Sequence, residues 1–134
     1  MNVLVVDAQG GGVGRQLVAA IKKQYPEVTV TAVGANSAAA AAMLKAGADN
    51  SATGENAVIV NCRRADVIVG PIGIVIADSL LGEITPAMAL AVSQSNAKRI
   101  LLPMNHCDNI VAGVPEMTVA VLVQAVLAEI RAAL

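Results

Sequence analysis

Apolar residues in this chain fall in short unbroken runs, and the stretches between them carry helical spacing. Asn2 to Asp7 (NVLVVD) is a continuous β-branched run, the pattern of a strand covered on both faces, as parallel strands are in α/β proteins. Beyond a cluster of glycines, Val13 to Tyr25 sets Leu17, Val18 and Ile21 on one helical face. Lys22 and Lys23 near its end complement the helix dipole, and Pro26 closes it. Val28 to Val33 (VTVTAV) is the next branched run, so a βαβ unit is complete within about thirty residues.

The same alternation continues. Ser37 caps a helix through the alanine-rich stretch to Lys45, with Gly47 just past its end. Ala48 to Ala52 reads as a short connection with room for a brief strand. Thr53 caps a further helix with Glu55 in its first turn, carrying Val58, Ile59 and Cys62 to Arg64. Asp66 to Gly70 is another buried strand, and Pro71 to Leu81 a short apolar helix stopped by Gly82. Thr85-Pro86 opens a helix to about Ser95, because a cap followed by proline at the first helical position is a start signal. Lys98 to Pro103 follows as a strand, Ile110 to Ala112 as a last short one, and Met117 to Leu134 as a helix apolar on most of its circumference.

Strands alternating with helices predict a three-layer α/β domain of Rossmann-like type, a mainly parallel sheet with helices on both faces, spanning residues 1–134 as one domain. In such a sheet ligands sit beyond the carboxyl ends of the strands.

Composition narrows the partners. Nine lysines and arginines against ten acids give a net charge of -1, so there is no basic field for a polyanion, and nucleic acid is not an expected partner. Tyr25 is the single aromatic residue, which removes the stacking platforms that single strands or a flavin ring use. The apolar fraction of 56% suggests a membrane protein. However, the run Val67 to Ala77 is broken by Gly70, Pro71 and Gly73 and falls short of the ~20 residues a span needs. The start has no basic region followed by a cleavage site, so a cytoplasmic protein is expected, with Cys62 and Cys107 reduced and no metal site from their spacing. So much aliphatic surface with so little charge predicts a homo-oligomer, a dimer or higher.

Four loops should meet at the carboxyl edge: Ala8 to Gly14, Gly34 to Ser37, Pro71 to Gly73, and Met104 to Asn109. The first, with Asp7, Gln9, Gly10, Gly11, Gly12, Val13 and Gly14, is the expected ligand loop. Consecutive glycines let the backbone turn tightly and approach a phosphate, while the helix beyond offers free N–H donors. The alternative is that the glycines only let strand and helix pack closely. G-G-G-V-G does not meet G-x-G-x-x-G, although Gly12-Val13-Gly14 resembles the end of a short-chain dehydrogenase loop. Arg15 and Gln16 stand where a P-loop needs lysine and Ser or Thr, which argues against nucleotide hydrolysis.

At the end of the second strand neither the acid that holds a ribose nor the arginine that meets a 2′-phosphate is present. Asn36 and Ser37 alone would face the adenosine side, or else serve as turn and cap. Asp7 could orient a sugar hydroxyl, join Asp108 around a metal, or only bond loop amides. His106-Cys107-Asp108 is the single cluster resembling a catalytic set, with a turn as the alternative, and Asn105 lies beside it. No tyrosine–lysine pair of the dehydrogenase type follows, and no aspartate-x-histidine signature of a corrinoid carrier appears.

Five stretches together resemble a family of uncharacterised bacterial proteins, domain of unknown function 3842: Asp7-Ala8-Gln9-Gly10-Gly11-Gly12-Val13-Gly14, Met43-Leu44-Lys45-Ala46-Gly47-Ala48-Asp49, Ala52-Thr53-Gly54-Glu55-Asn56-Ala57, Gly70-Pro71-Ile72-Gly73 and Gly82-Glu83-Ile84-Thr85-Pro86-Ala87-Met88. The resemblance implies the fold over nearly the full length and names no reaction. It adds Thr53, Glu55, Asn56, Pro71, Ile72 and Gly73 to the candidate site residues. Two functions follow as expectations: a protein that holds NAD(P), another nucleotide or a phosphorylated metabolite at the glycine loop, or a structural or regulatory subunit that keeps the scaffold for assembly with the loop empty.

Overall fold

In a computed structural model, which describes residues 1–104 and 109–134, strands and helices alternate along the chain. They are β1 (Asn2–Asp7), α1 (Gly12–Gln24), β2 (Thr29–Gly34), α2 (Ser37–Lys45), β3 (Asn50–Thr53), α3 (Glu55–Cys62), β4 (Val67–Pro71), α4 (Pro86–Gln94), β5 (Lys98–Leu102) and α5 (Val119–Ala133). The strands form one parallel sheet in the order β3-β2-β1-β4-β5. Central β1 pairs on both sides, Val3 lying opposite Val30 of β2 and Val67 of β4. The chain winds outward from β1 to β3, returns to β4 beside β1, and winds outward the other way. The reversal leaves a crevice at the carboxyl ends of β1 and β4, the switch point where sheets of this kind receive ligands.

The period of two along each strand builds the three layers. Val3, Val5, Val30, Ala32, Val67 and Val69 pack with Leu17, Val18 and Ile21 of α1, Met43 of α2, and Leu122, Val126 and Ile130 of α5. Leu4, Val6, Val33 and Ile68 face the other way, onto Val58 and Cys62 of α3 and Met88 and Val92 of α4. Each such Val, Leu, Ile or Met side chain stabilises the fold by roughly 1.5–3 kcal/mol through its burial, so strands buried on both faces explain the unbroken apolar runs of β1 and β4. Polar groups fix the seams. Tyr25 donates its hydroxyl to the Leu127 carbonyl at 3.1 Å, tying α1 to α5. The Lys22 ammonium bonds the Pro26 and Val28 carbonyls and the Asp49 carboxylate, which also accepts the Val30 amide at 2.8 Å. Among the described residues, no helix is long and apolar enough to cross a membrane.

Several local expectations are corrected. Asn36, not Ser37, caps α2, accepting the Ala39 amide at 2.8 Å, because its extended backbone leaves Ser37 already helical. Thr53 does not cap α3: it ends β3 opposite Gly34, and the cap position falls to Gly54, whose φ of 100° suits a residue without a side chain. The brief strand for which the connection after α2 had room does form, as edge strand β3 at Asn50–Thr53. Pro71 to Leu81 is not an α-helix. Its tail folds back on itself after one 3-10 turn at Ile72–Val75, with Asp78, Leu80 and Leu81 all in left-handed backbone. Ile110 to Ala112 is not a strand.

Candidate functional site

Asp7, the last residue of β1, is 4% exposed. One carboxylate oxygen accepts the Ala8 amide at 2.8 Å and the other the Gly14 amide at 2.6 Å. Burial pushes its pKa above the ordinary carboxylate value, the Gly14 and Ala8 amides pull it back, and the charge of Glu83 pushes it up again. The chain between these anchors turns through left-handed backbone at Gln9 (φ 54°) and Gly11 (φ 70°), and the Gly11 amide bonds the Ala8 carbonyl at 3.0 Å.

The glycines of this loop divide into two kinds. A Cβ on Gly11 would lie 2.9 Å from the Ala39 Cα, and one on Gly14 would lie 2.9 Å from the Asp7 Cβ, so both let α1 seat against its neighbours. Gly10 and Gly12 have no left-handed backbone, and among the described residues a Cβ on either meets nothing within 4 Å. Packing therefore requires two of the four glycines and leaves the other two without a structural reason.

Among the described residues, those two face open space beside amides that have no partner. The amides of Gln9, Gly11, Gly14 and Arg15 are all bonded within the protein. Gly10 lies in the turn, and Gly12 and Val13 are the first two residues of α1, whose N–H groups have no acceptor in the preceding turn. They border a cavity of about 310 Å³ lined by Asp7 to Val13, Gln16 and Leu80. No lysine or arginine lines it. Two larger hollows lie elsewhere, about 490 Å³ between α3 and α4 and about 360 Å³ at the amino ends of β1 to β3, and neither reaches the switch point.

A residue the sequence reading did not place in the site, Glu83, reaches the loop from the β4–α4 connection. Its neighbours Leu80 and Ile84 are buried, and the Asp78 amide bonds the Ile84 carbonyl at 2.8 Å, which turns the segment back toward β1. One Glu83 oxygen accepts the Gln9 amide at 2.9 Å, and the other accepts the Asn36 side-chain amide at 2.5 Å. Asn36 also donates to the Gln9 carbonyl at 2.8 Å. Contacts 74 and 47 positions apart have no local sequence signal; Glu83 itself stood out only within a stretch of the family resemblance.

The remaining candidates lie around this centre. Ser37 is exposed at the start of α2. Glu55 accepts the Thr85 hydroxyl at 2.6 Å, and Thr85 in turn caps α4 through the Met88 amide at 3.2 Å. Asn56 is exposed on α3, and Thr53 ends β3. Pro71, Ile72 and Gly73 end β4 and begin its turn, with the Gly73 carbonyl bonded to the Ser79 hydroxyl. None of these lines the glycine-loop cavity. Asn105, His106, Cys107 and Asp108 lie outside the described residues. Among the described residues, no three His, Cys, Asp or Glu side chains group as metal ligands.

Among the described residues, the polar groups at the open side of the loop are thus backbone N–H donors, with the Glu83 carboxylate bonded to the loop at Gln9. No curated protein matches the chain. Among solved structures it is similar to a dodecameric FMN-dependent UbiX-like decarboxylase from Escherichia coli O157:H7, at 19% identity over 96% of this chain and 94% of that one, with a TM-score of 0.46. Nothing of that enzyme's cofactor or assembly is carried over at this level of likeness. The sequence match is firmer: residues 2–134 fit the model of one family throughout, and the chain belongs to that family, described as a domain of unknown function (DUF3842).

Proposed function

We propose that this protein binds a nucleotide or another phosphorylated metabolite, of the NAD(P) kind, with its phosphate on the Gly10–Gly14 loop. The observation that carries this reading is the pair Gly10 and Gly12. Neither is needed for a turn or for packing, and both border the cavity beside the free amides of α1. A phosphate needs that combination of close backbone approach and convergent N–H donors at a helix N-terminus. The test is titration calorimetry of ADP and NAD with the wild-type protein and with Gly12→Val. Among the described residues a Cβ at this position meets nothing within 4 Å, and Gly12→Ala serves as the control that adds only that atom. Binding of one nucleotide per chain that is lost in Gly12→Val supports the proposal, and equal binding by both proteins overturns it.

Exposed apolar side chains favour self-association alongside this. Leu81 is 92% exposed and Ile110 89%, and Leu90, Val121 and Leu134 are each more than half exposed. A homo-oligomer in the cytoplasm that covers part of this surface is the second element of the proposal. An assembly subunit with an empty loop is the reading that would remain if no ligand binds.

A further inference from the structure

We propose that Glu83 is a specificity-determining residue that selects nucleotides with an unsubstituted ribose diol and rejects those bearing a 2′-phosphate. The inference rests on the nucleotide reading above and refines its ligand class.

The end of β2 offers Gly34-Ala35-Asn36, with neither the acid nor the arginine that usually sorts the two kinds of ribose there. The fold supplies the acid from another segment. Glu83 bridges the first β–α turn, through the Gln9 amide, and the second, through Asn36. In a sheet of this winding, the ribose next to a loop-bound phosphate lies between those two turns.

The carboxylate is held rather than free. Asn36 is itself fixed, its oxygen capping Ala39 and its nitrogen bonded to the Gln9 carbonyl. An ionised carboxylate has about four acceptor positions, and the two bonds to Gln9 and Asn36 leave the others for hydroxyl donors. A ribose diol supplies such donors. A 2′-phosphate supplies only acceptors and more negative charge, next to Glu83, whose partner Gln9 lines the glycine-loop cavity and whose charge reaches buried Asp7. Among the described residues no lysine or arginine lines that cavity. Like charge at that spot is the repulsive element that specificity requires.

The experiment compares NAD with NADP, which differ only in the 2′-phosphate, by calorimetry on the wild-type protein and on Glu83→Gln. The wild type is expected to bind NAD at least roughly tenfold more tightly, and the variant to bring the two within about threefold by weakening NAD and relieving NADP. Equal or tighter binding of NADP by the wild type overturns the inference while leaving nucleotide binding in place, and so does a ratio unchanged in Glu83→Gln. If neither dinucleotide binds the wild type, the underlying reading fails and takes this one with it. The wild-type ratio stands as a test even if the variant does not fold.

Discussion

Asp7 holds Gly14 by accepting the Gly14 amide on its carboxylate at 2.6 Å, so the end of the central strand and the first turn of α1 are joined by one buried side chain. Its other oxygen takes the Ala8 amide. Asp7→Asn turns one acceptor into a donor facing an N–H, and the unpaired group should cost about 1–3 kcal/mol of stability, read from urea unfolding. The pH dependence has a definite sign. Folded Asp7 has a pKa above the ordinary 3.8, so folding takes up a proton in that window and stability falls as pH rises through it. The gap between wild type and Asp7→Asn should therefore be widest in acid and narrow above the raised value. A gap that widens with pH would contradict the assignment.

The division of the glycines predicts opposite effects within one loop. Gly11→Ala places a side chain on left-handed backbone against Ala39, and Gly14→Ala drives one into Asp7, so each should destabilise by roughly 1–3 kcal/mol. Gly12→Ala should be neutral or stabilising by up to about 1 kcal/mol, since α1 begins there and alanine restricts the unfolded chain. Thermal unfolding of the three variants decides it.

Asp49 carries the reverse pH sign. The Val30 amide, and then Lys22, hold its carboxyl below the ordinary 3.8. Its contribution is thus fully present above that value and is lost as pH falls through the lowered one. The side chain is 41% exposed, so Asp49→Asn should cost under about 1 kcal/mol near neutrality, and the difference should vanish in strong acid.

Cys62 is buried against the α4 side of the sheet, and burial pushes its thiol pKa up to about 11. In a Cys107→Ser background the folded protein should react with a disulfide reagent at pH 7 no faster than it unfolds. Rapid labelling would show an accessible thiolate.

The sheet was legible because its signal is local. Unbroken β-branched runs mark β1 and β4, a glycine loop follows β1, and Thr85-Pro86 starts α4. Edge strand β3 was only a possibility within a connection, since Asn50-Ser51-Ala52-Thr53 has one neighbouring strand and no apolar run. The segment after β4 misled the reading. Its apolar residues suit a helix, but Leu80 and Ile84 are buried by left-handed turns that composition does not announce. The glycine loop was legible as a candidate site, whereas the distinction between packing glycines and open ones needs the positions of Ala39 and Met43. Glu83 could not be read from spacing, because its partners Gln9 and Asn36 are brought to it by the order of the strands.

Native mass spectrometry of gently purified protein, wild type beside Gly12→Val, tests the central claim most directly because it presupposes no ligand. The account predicts that the wild type carries one nucleotide or phosphorylated metabolite per chain, released and identified on denaturation, and that the variant forms the same oligomer without it. A wild-type oligomer that is empty, or a variant that retains the ligand, would contradict it.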